Sequence, residues 1–459
     1  MLKSKVAAFS VLPFALLYGS VVSASDIGQT GNPWTKYYGT ALASGAIDGY
    51  SDYGADILRE PSGNLYVTGG YNSYAWGVVS SRQTAFNFFI AKYDANGTQV
   101  WLKQLTTGQQ HNDYGSELAR DSSGNIYVTG YTDGNTFAAP SAPTTWVQNN
   151  FLAKYDTNGN QIWIRYYGSA TADTAQKLVI GPSNGIFIAG YTAEEGTTNY
   201  DAVLYRFDTS GNQLWRKKYN NDGLQEMPVG VAYEANTQNL FVATNQYNPL
   251  APYYDTSDIV IRRIALDGTF INDNMKFATS QQDRVHTIVS GGAAGGVYIA
   301  GRAGQGAFGP TDPTTINPNG IAQYFVSYVG VLGVSWVNRL ATEEGALNFS
   351  GMALDPFYRL HVTGATGKNA AGNITGGYVD PNNWGTDILY LLYGAGGWHV
   401  NQDQMGAYGV ADRGSAIEVD DRGNFFITGA VYGSMNGINS SLAVNISSSN
   451  ILTTRNDPR

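Results

Sequence analysis

The chain has 459 residues, no cysteine and a net charge of −9 at pH 7. Lack of cysteine excludes disulfides, thiol catalysis and cysteine-ligated metals. An acidic balance without clustered Lys and Arg argues against nucleic acid, whose phosphates require such clusters.

Residues 1–24 read as a signal peptide: Lys3 and Lys5, an apolar run from Val6 to Leu17, and the small residues Val22-Ser23-Ala24 before a cleavage point. Export is therefore expected, to the periplasm, the cell surface or the medium. The apolar run falls short of the ~20 residues that span a bilayer, and no other segment qualifies as a transmembrane span. Residues 25–459 are expected to form a single domain and a monomer. Fifty-six glycines and 32 tyrosines against 14% charged residues suit a β-rich extracellular protein full of tight turns.

A seven-residue phrase then recurs seven times, at intervals of 54 to 65 residues. It ends at Gly69, Gly130, Gly190, Thr244, Gly301, Gly364 and Gly429, as in GNLYVTG, GNIYVTG and GNFFITG. That period holds one small antiparallel sheet, which makes the chain all-β and predicts a seven-bladed β-propeller of four-stranded antiparallel blades. Each unit opens with an inner strand A, such as the segments beginning at Asp52, Asp113, Asp173, Asp283 and Asp412. A turn of the type EPSGN or DSSGN, in which Gly accepts positive φ, leads to strand B, the YVTG phrase. Strand C follows a longer loop, as in FFIAKYD at Phe88, and a DxNG turn leads to strand D.

Strand D is marked by Trp101, Trp163, Trp215, Trp336 and Trp398, with Phe270 as the counterpart in the fourth unit. The last unit, from Asp412 to about Ile446, lacks this strand. Trp34-Thr35-Lys36-Tyr37-Tyr38-Gly39 copies Trp163 to Gly168 and is expected to fill the slot beside Leu442 to Ile446, so that the N-terminal strand closes the ring and removes an exposed edge. The competing candidate is Ile451 to Thr454.

The run D-x-(A/G)-x-x-(I/L), G-N-x-Y-V-T-G and (D/N)-x-F-(I/L)-A-K-(Y/F)-D resembles the bacterial SBBP family, the seven-bladed β-propeller repeat, over nearly all of the chain beyond the leader. The fourth unit departs most, with Met227-Pro228 in its opening motif and Thr244 for the closing glycine. The resemblance implies an exported or cell-surface protein and no particular reaction.

Strand order puts the tight A–B and C–D turns on one face and the long, dissimilar B–C and D–A loops on the other. Trp76, Trp146, Tyr253, Tyr254, Phe308, Tyr378 and Trp384 all fall in the long loops. Rings on polar loops are what a glycan- or protein-binding surface needs, and equally what a loop needs to pack upon itself. Asp52, Asp113, Asp173, Asp283 and Asp412 would ring the channel mouth, where they could hold calcium or, alternatively, bond the backbone of their own turns. No cofactor is expected apart from that calcium. Asp94, Asp156 and Asp208 lack the later acidic ligand of a calcium loop and read as hairpin residues. Gly304 to Gly309 satisfies GxGxxG, but the Pro310 that follows excludes a dinucleotide-binding helix.

The expected function is binding of an extracellular glycan or protein through the long-loop face. The alternative is a glycan lyase or hydrolase whose acid–base pair comes from His111, Asp113, Glu194, Glu195, Glu226 or Asp283. His361 replaces the Tyr of the repeated phrase and is expected to be packed.

Overall fold

The computed structural model describes residues 21–22, 34–38, 53–71, 86–105, 111–133, 149–169, 173–193, 199–219, 223–248, 257–279, 282–304, 323–330, 333–340, 347–366, 386–405, 412–431 and 450–456. They form an all-β propeller with four-stranded antiparallel blades. In blade 1 the strands are Tyr53–Arg59 (A), Leu65–Tyr71 (B), Asn87–Tyr93 (C) and Gln99–Leu105 (D). Five further four-stranded blades repeat this order, with inner strands Asp113–Arg120, Asp173–Ile180, Gln225–Glu234, Arg284–Ser290 and Leu347–Leu354. A final five-stranded sheet runs, from inside outward, Arg413–Val419, Phe425–Val431, Asn450–Asn456, Trp34–Tyr38 and Val21–Val22. Inner strands pack on one another in chain order, and Arg413–Val419 packs against both Leu347–Leu354 and Tyr53–Arg59.

This final sheet revises the expected closure. Trp34 pairs with Arg455 and Tyr38 with Ile451, so the N-terminal strand lies outside Asn450–Asn456. Asn450–Asn456 in turn pairs with Phe425–Val431 and holds the strand C position. The two candidates for the outer slot are thus neighbours, and Leu442 to Ile446 lies outside the described residues.

Strands B and C of blade 1 are buried at every position, whereas strand D is only partly covered. A middle strand has a neighbouring blade on both faces, so it reads as a continuous apolar run. Every inner strand carries a bulge at the same point, seen between Gly54 and Asp56, Gly115 and Glu117, and Ala175 and Lys177. The closing glycine of strand B packs under the inner strand: a Cβ at Gly130 would lie 1.8 Å from the Tyr114 carbonyl oxygen. The repeated glycine is therefore a backbone-approach requirement.

Strand D tryptophans join one blade to the next. Trp101 Nε1 donates to the Thr157 carbonyl at 3.2 Å and Trp163 Nε1 to that of Thr209 at 3.3 Å, in the C–D turn of the following blade. Lys92 and Lys154, from the repeated AKYD phrase, reach the same two carbonyls. Each indole lies against a turn glycine of positive φ, Gly159 for Trp101 and Gly211 for Trp163, where no Cβ could fit comfortably. Trp215 over Gly268 and Trp336 over Gly397 repeat the contact.

Two strand D assignments shift. In blade 6, Gly394 N donates to the Trp398 carbonyl, and Gly397 N donates to that of Gly394. Trp398 therefore occupies the turn position that Thr98 holds in blade 1. Asn401, opposite Leu392, stands where blade 1 has Trp101 opposite Lys92. In blade 4, Ile271 pairs with Arg263 and takes that place, leaving Phe270 one step earlier. The reason is what the next blade offers. The sheet after blade 6 has chain ends in place of a C–D turn, and the blade after blade 4 joins strands C and D by a shorter connection between Gly330 and Gly333. In neither place is there a four-residue turn for an indole to cover.

Candidate functional site

The long-loop ends of the strands hold most of the unusual chemistry. Asp113, Asp173, Asp283 and Asp412 sit there fully buried. Asp173 accepts from the Ser169 backbone and hydroxyl, and the Tyr205 hydroxyl reaches it at 3.4 Å. Asp283 accepts from Thr279 N at 2.5 Å, Thr279 Oγ1 at 2.9 Å and Gly304 N at 2.8 Å. Burial raises the Asp283 pKa, against the pull of these bonds. These four aspartates are thus buried strand starts and do not line an open channel mouth. Asp52, Trp76, Trp146, Tyr253, Tyr254, Phe308, Tyr378, Trp384, Glu194 and Glu195 lie outside the described residues. His111 Nδ1 lies 3.5 Å from Asp133.

Blade 4 breaks the pattern. Glu226, opposite Gln246, takes the place of the strand-starting Asp and is fully buried. Arg262 stands opposite Val242, where blades 1 and 2 have Ala91 and Ala153 opposite Val67 and Val128. Its guanidinium is buried too, and it pairs with Glu226 Oε1 and donates to Thr244 Oγ1 at 3.3 Å. Gln246 Nε2 donates to the same Glu226 oxygen at 3.1 Å, and Lys276 Nζ donates to Gln246 Oε1 at 3.4 Å. Glu226 Oε2 has no hydrogen-bond partner among the described residues. Burial raises the Glu226 pKa, Arg262 opposes that, and the nearby Asp201 adds to the rise. Asp201 is buried and ion-paired with Lys218, while Lys276 bridges to Asp258 at 2.7 Å.

This end of blades 3 and 4 therefore presents partly exposed cations and a carboxylate edge around one buried acid with hydrogen-bonding capacity to spare. Such a surface can grip a polar ligand, and its raised acid can hold a proton for one. Glu226 was legible as a candidate in the sequence. Arg262 was not, although the Arg-Arg of IVIRRI against the Ala-Lys of FFIAKYD is the signal that marks it.

A second titratable group lies between the inner strands. Asp56, Glu117 and Lys177 occupy the same bulge position in blades 1 to 3. Lys177 Nζ bridges to Glu117 Oε1 at 2.5 Å, and Asp56 Oδ2 accepts from Leu118 N at 2.7 Å. Burial raises both Asp56 and Glu117, the latter also through Asp56. Burial alone would lower Lys177, but Glu117 and Asp56 outweigh it and hold it up. Glu418, from the final sheet, is pushed up to about 8, first by burial and then by Asp56. Among the described residues no group of three or more His, Asp or Glu side chains is arranged to hold a metal.

The Glu418 shift has a definite sign. Its folded pKa lies above the unfolded value near 4.5, so the folded state holds the proton more tightly and stability falls as pH rises from about 4.5 to about 8. Glu418→Gln is expected to raise the melting temperature at pH 8.5, by an amount equivalent to ~1–2 kcal/mol after allowance for solvent reaching the group, and to change nothing near pH 4.5. Melts across that range check this; a constant offset would refute it.

Comparison with known families fits this geometry. The SBBP β-propeller repeat matches residues 100–138, from the strand D tryptophan of blade 1 through strand B of blade 2. The chain carries an SBBP repeat. The match begins with the Trp101 staple, so the SBBP repeat includes the blade-to-blade joint as well as the sheet. The chain is also similar to an uncharacterized WD repeat-containing protein of Acanthamoeba polyphaga mimivirus, 23% identical over 318 residues, which are 55% of this chain and 23% of that protein. It thus spans about a quarter of that relative's length. Among solved structures, the WD40 domain of Pan2 from Neurospora crassa aligns with a TM-score of 0.45 and 9% identity, covering 89% of this chain and 91% of that one. The β-propeller domain of the Trilobed protease from Pyrococcus furiosus aligns at 0.44 and 8%, covering 83% and 89%.

Proposed function

We propose that the protein is an exported binding module that holds an extracellular glycan or protein on its long-loop face, over blades 3 and 4. The observation that carries this is the break in the repeat there. Glu226, Arg262 and Gln246 form a buried network with an unsatisfied oxygen at a place where other units bury one Asp against their own backbone. Buried polar groups left with spare capacity are costly, and a ligand hydroxyl or amide can supply the missing bond. The five-stranded sheet serves as a seventh blade that closes the ring. Leader cleavage after Ala24 would remove Val21–Val22 and leave that blade with four strands, like the rest. The first 24 residues then direct the single domain to the periplasm, the cell surface or the medium, where it acts as a monomer.

The alternative, a glycan lyase or hydrolase, draws on the raised Glu226 beside Asp201, since paired acids in unlike environments divide acid and base roles. A glycan and protein array with the chain from residue 25 tests binding, and a reducing-end assay on any glycan hit tests turnover. Trp76→Ala, Trp146→Ala and Trp384→Ala are expected to weaken binding by ~2 kcal/mol at any ring that is a hot spot, without loss of folding. Normal binding by all three would remove the long loops of blades 1, 2 and 6 from the site.

A further inference from the structure

Blade 5 carries an unneutralised pair of cations at the long-loop ends of its strands A and B. Arg284 follows the strand-opening Asp283 and stands directly opposite Arg302. In other blades the same two positions hold Tyr53 and Gly70, Tyr114 and Tyr131, Thr174 and Tyr191, Asn348 and Ala365, or Arg413 and Ala430. Like charges directly opposite in a ladder destabilise it. No acid relieves them: neither guanidinium has an ion-pair partner among the described residues, and Arg284 Nε is buried without a hydrogen bond. Asp283, next in the chain, is engaged by Thr279 and Gly304. Arg284 instead lies 5.5 Å over the Tyr247 ring. His286, at the bulge of the same inner strand, faces both arginines. Burial, then Arg284 and Arg302, lower its pKa to about 4, so the ring is neutral at pH 7. Its Nδ1 accepts from Phe349 N at 3.3 Å, which leaves the proton on Nε2 as a donor. The next blade does not cover the pair with a ring. A Cβ on Gly70 in blade 1 would lie 3.1 Å from Tyr114 of blade 2, whereas Asn348, in the place of Tyr114 after blade 5, is short and exposed.

We propose that Arg284, Arg302 and the Nε2–H of His286 form an oxyanion subsite for an acidic sugar unit, a uronate or a sulfated sugar, within the glycan held on the long-loop face. The inference rests on the glycan reading proposed above and adds the charge class of that ligand. Guanidinium forks match the paired oxygens of a carboxylate or sulfate, and a neutral imidazole N–H adds a third donor. With a net charge of −9 the chain as a whole repels polyanions, so an acidic ligand has to be held locally, by groups such as these. The same positions in blades 1 and 2 supply what the rest of a sugar chain needs. Tyr53, Tyr114 and Tyr131 are half-buried rings in succession, 6.0 and 4.7 Å between centroids, and offer flat faces to sugar rings. A polymer with an oxyanion on its rings can use both features.

Biolayer interferometry of the chain from residue 25 on immobilised polygalacturonate, dextran sulfate, neutral dextran and polyglutamate tests this. Polygalacturonate or dextran sulfate should bind, the one that binds naming the oxyanion, and neutral dextran should not. Arg284→Gln and Arg302→Gln should each weaken that binding at least tenfold in apparent Kd. Both variants should melt at the same or a higher temperature, because the opposed like charges are gone, which separates lost binding from lost folding. Binding that is unchanged in either variant, equally strong on neutral dextran, or absent from both acidic polysaccharides would overturn the subsite. Stronger binding to polyglutamate than to either polysaccharide would overturn it in favour of an acidic protein. A neutral glycan found on the array and bound equally by the intact chain and both variants would overturn the subsite while leaving the glycan reading in place.

Discussion

Removal of residues 450–459 is expected to cost most of the stability of the whole fold. Asn450–Asn456 pairs along seven residues with Phe425–Val431 and along five with Trp34–Tyr38. Its loss would break both ladders, strand the N-terminal segment and bare the edge of a strand that packs among core residues such as Phe425 and Ile427. At ~1 kcal/mol net for each lost backbone bond, plus core exposure, the loss exceeds ~5 kcal/mol, comparable with the whole stability of a typical domain. The shortened chain should melt far lower and aggregate through its open edge. Removing residues 25–40 should do less harm, since it takes away only an outer strand and the Trp34 side chain. Trp34→Ala, at the position that the strand D tryptophans mark in the sequence, should cost ~3 kcal/mol. Thermal melts of the three proteins rank these effects, and a C-terminal truncation that melts like the intact chain would refute the pairing.

Arg262→Ala should be the most damaging single substitution in blade 4. Arg262 is 2% exposed and Glu226 is fully buried, so truncation leaves a buried carboxylate without its counter-ion, a change worth ~3–5 kcal/mol. The deficit should shrink toward acid pH. With its cation gone, Glu226 titrates still further above its unfolded value near 4.5, so the penalty is full above the folded pKa and vanishes below about 4.5. Arg262→Met combined with Glu226→Gln should recover most of the stability, because an apolar replacement of a buried ion pair is often neutral. Urea denaturation of the single and double variants at pH 5 and pH 8 measures this. A single variant that is harmless, or equally harmful at both pH values, would show that the pair is solvated.

The sequence by itself determined the unit of this protein. The recurring phrase and the Asp- and Gly-bearing turns are local. Asp94, Asp156 and Asp208 each accept from backbone N–H groups two and four residues ahead, as hairpin residues should. His361 is fully buried between Asp355 and Tyr390, as its place in the phrase implied. Glu226 was visible because it breaks a pattern that the repeat makes obvious.

Only the tertiary structure decided how units meet. Trp398 follows a Gly-rich turn and looks like its fellows in sequence, yet four-residue turn geometry places it three positions early, with Asn401 in the strand D site. Arg262 reaches a residue 36 positions back in the chain, and Lys177 reaches Glu117, 60 back, in the blade before. Trp34 and Arg455, at opposite ends of the sequence, lie side by side. A repeat records the hydrogen bonds that each sheet makes within itself, because those recur with the period. Contacts between blades, and the meeting of the two chain ends, depend on how the sheets pack around a common axis, and one residue type can serve there in one blade and be replaced in the next.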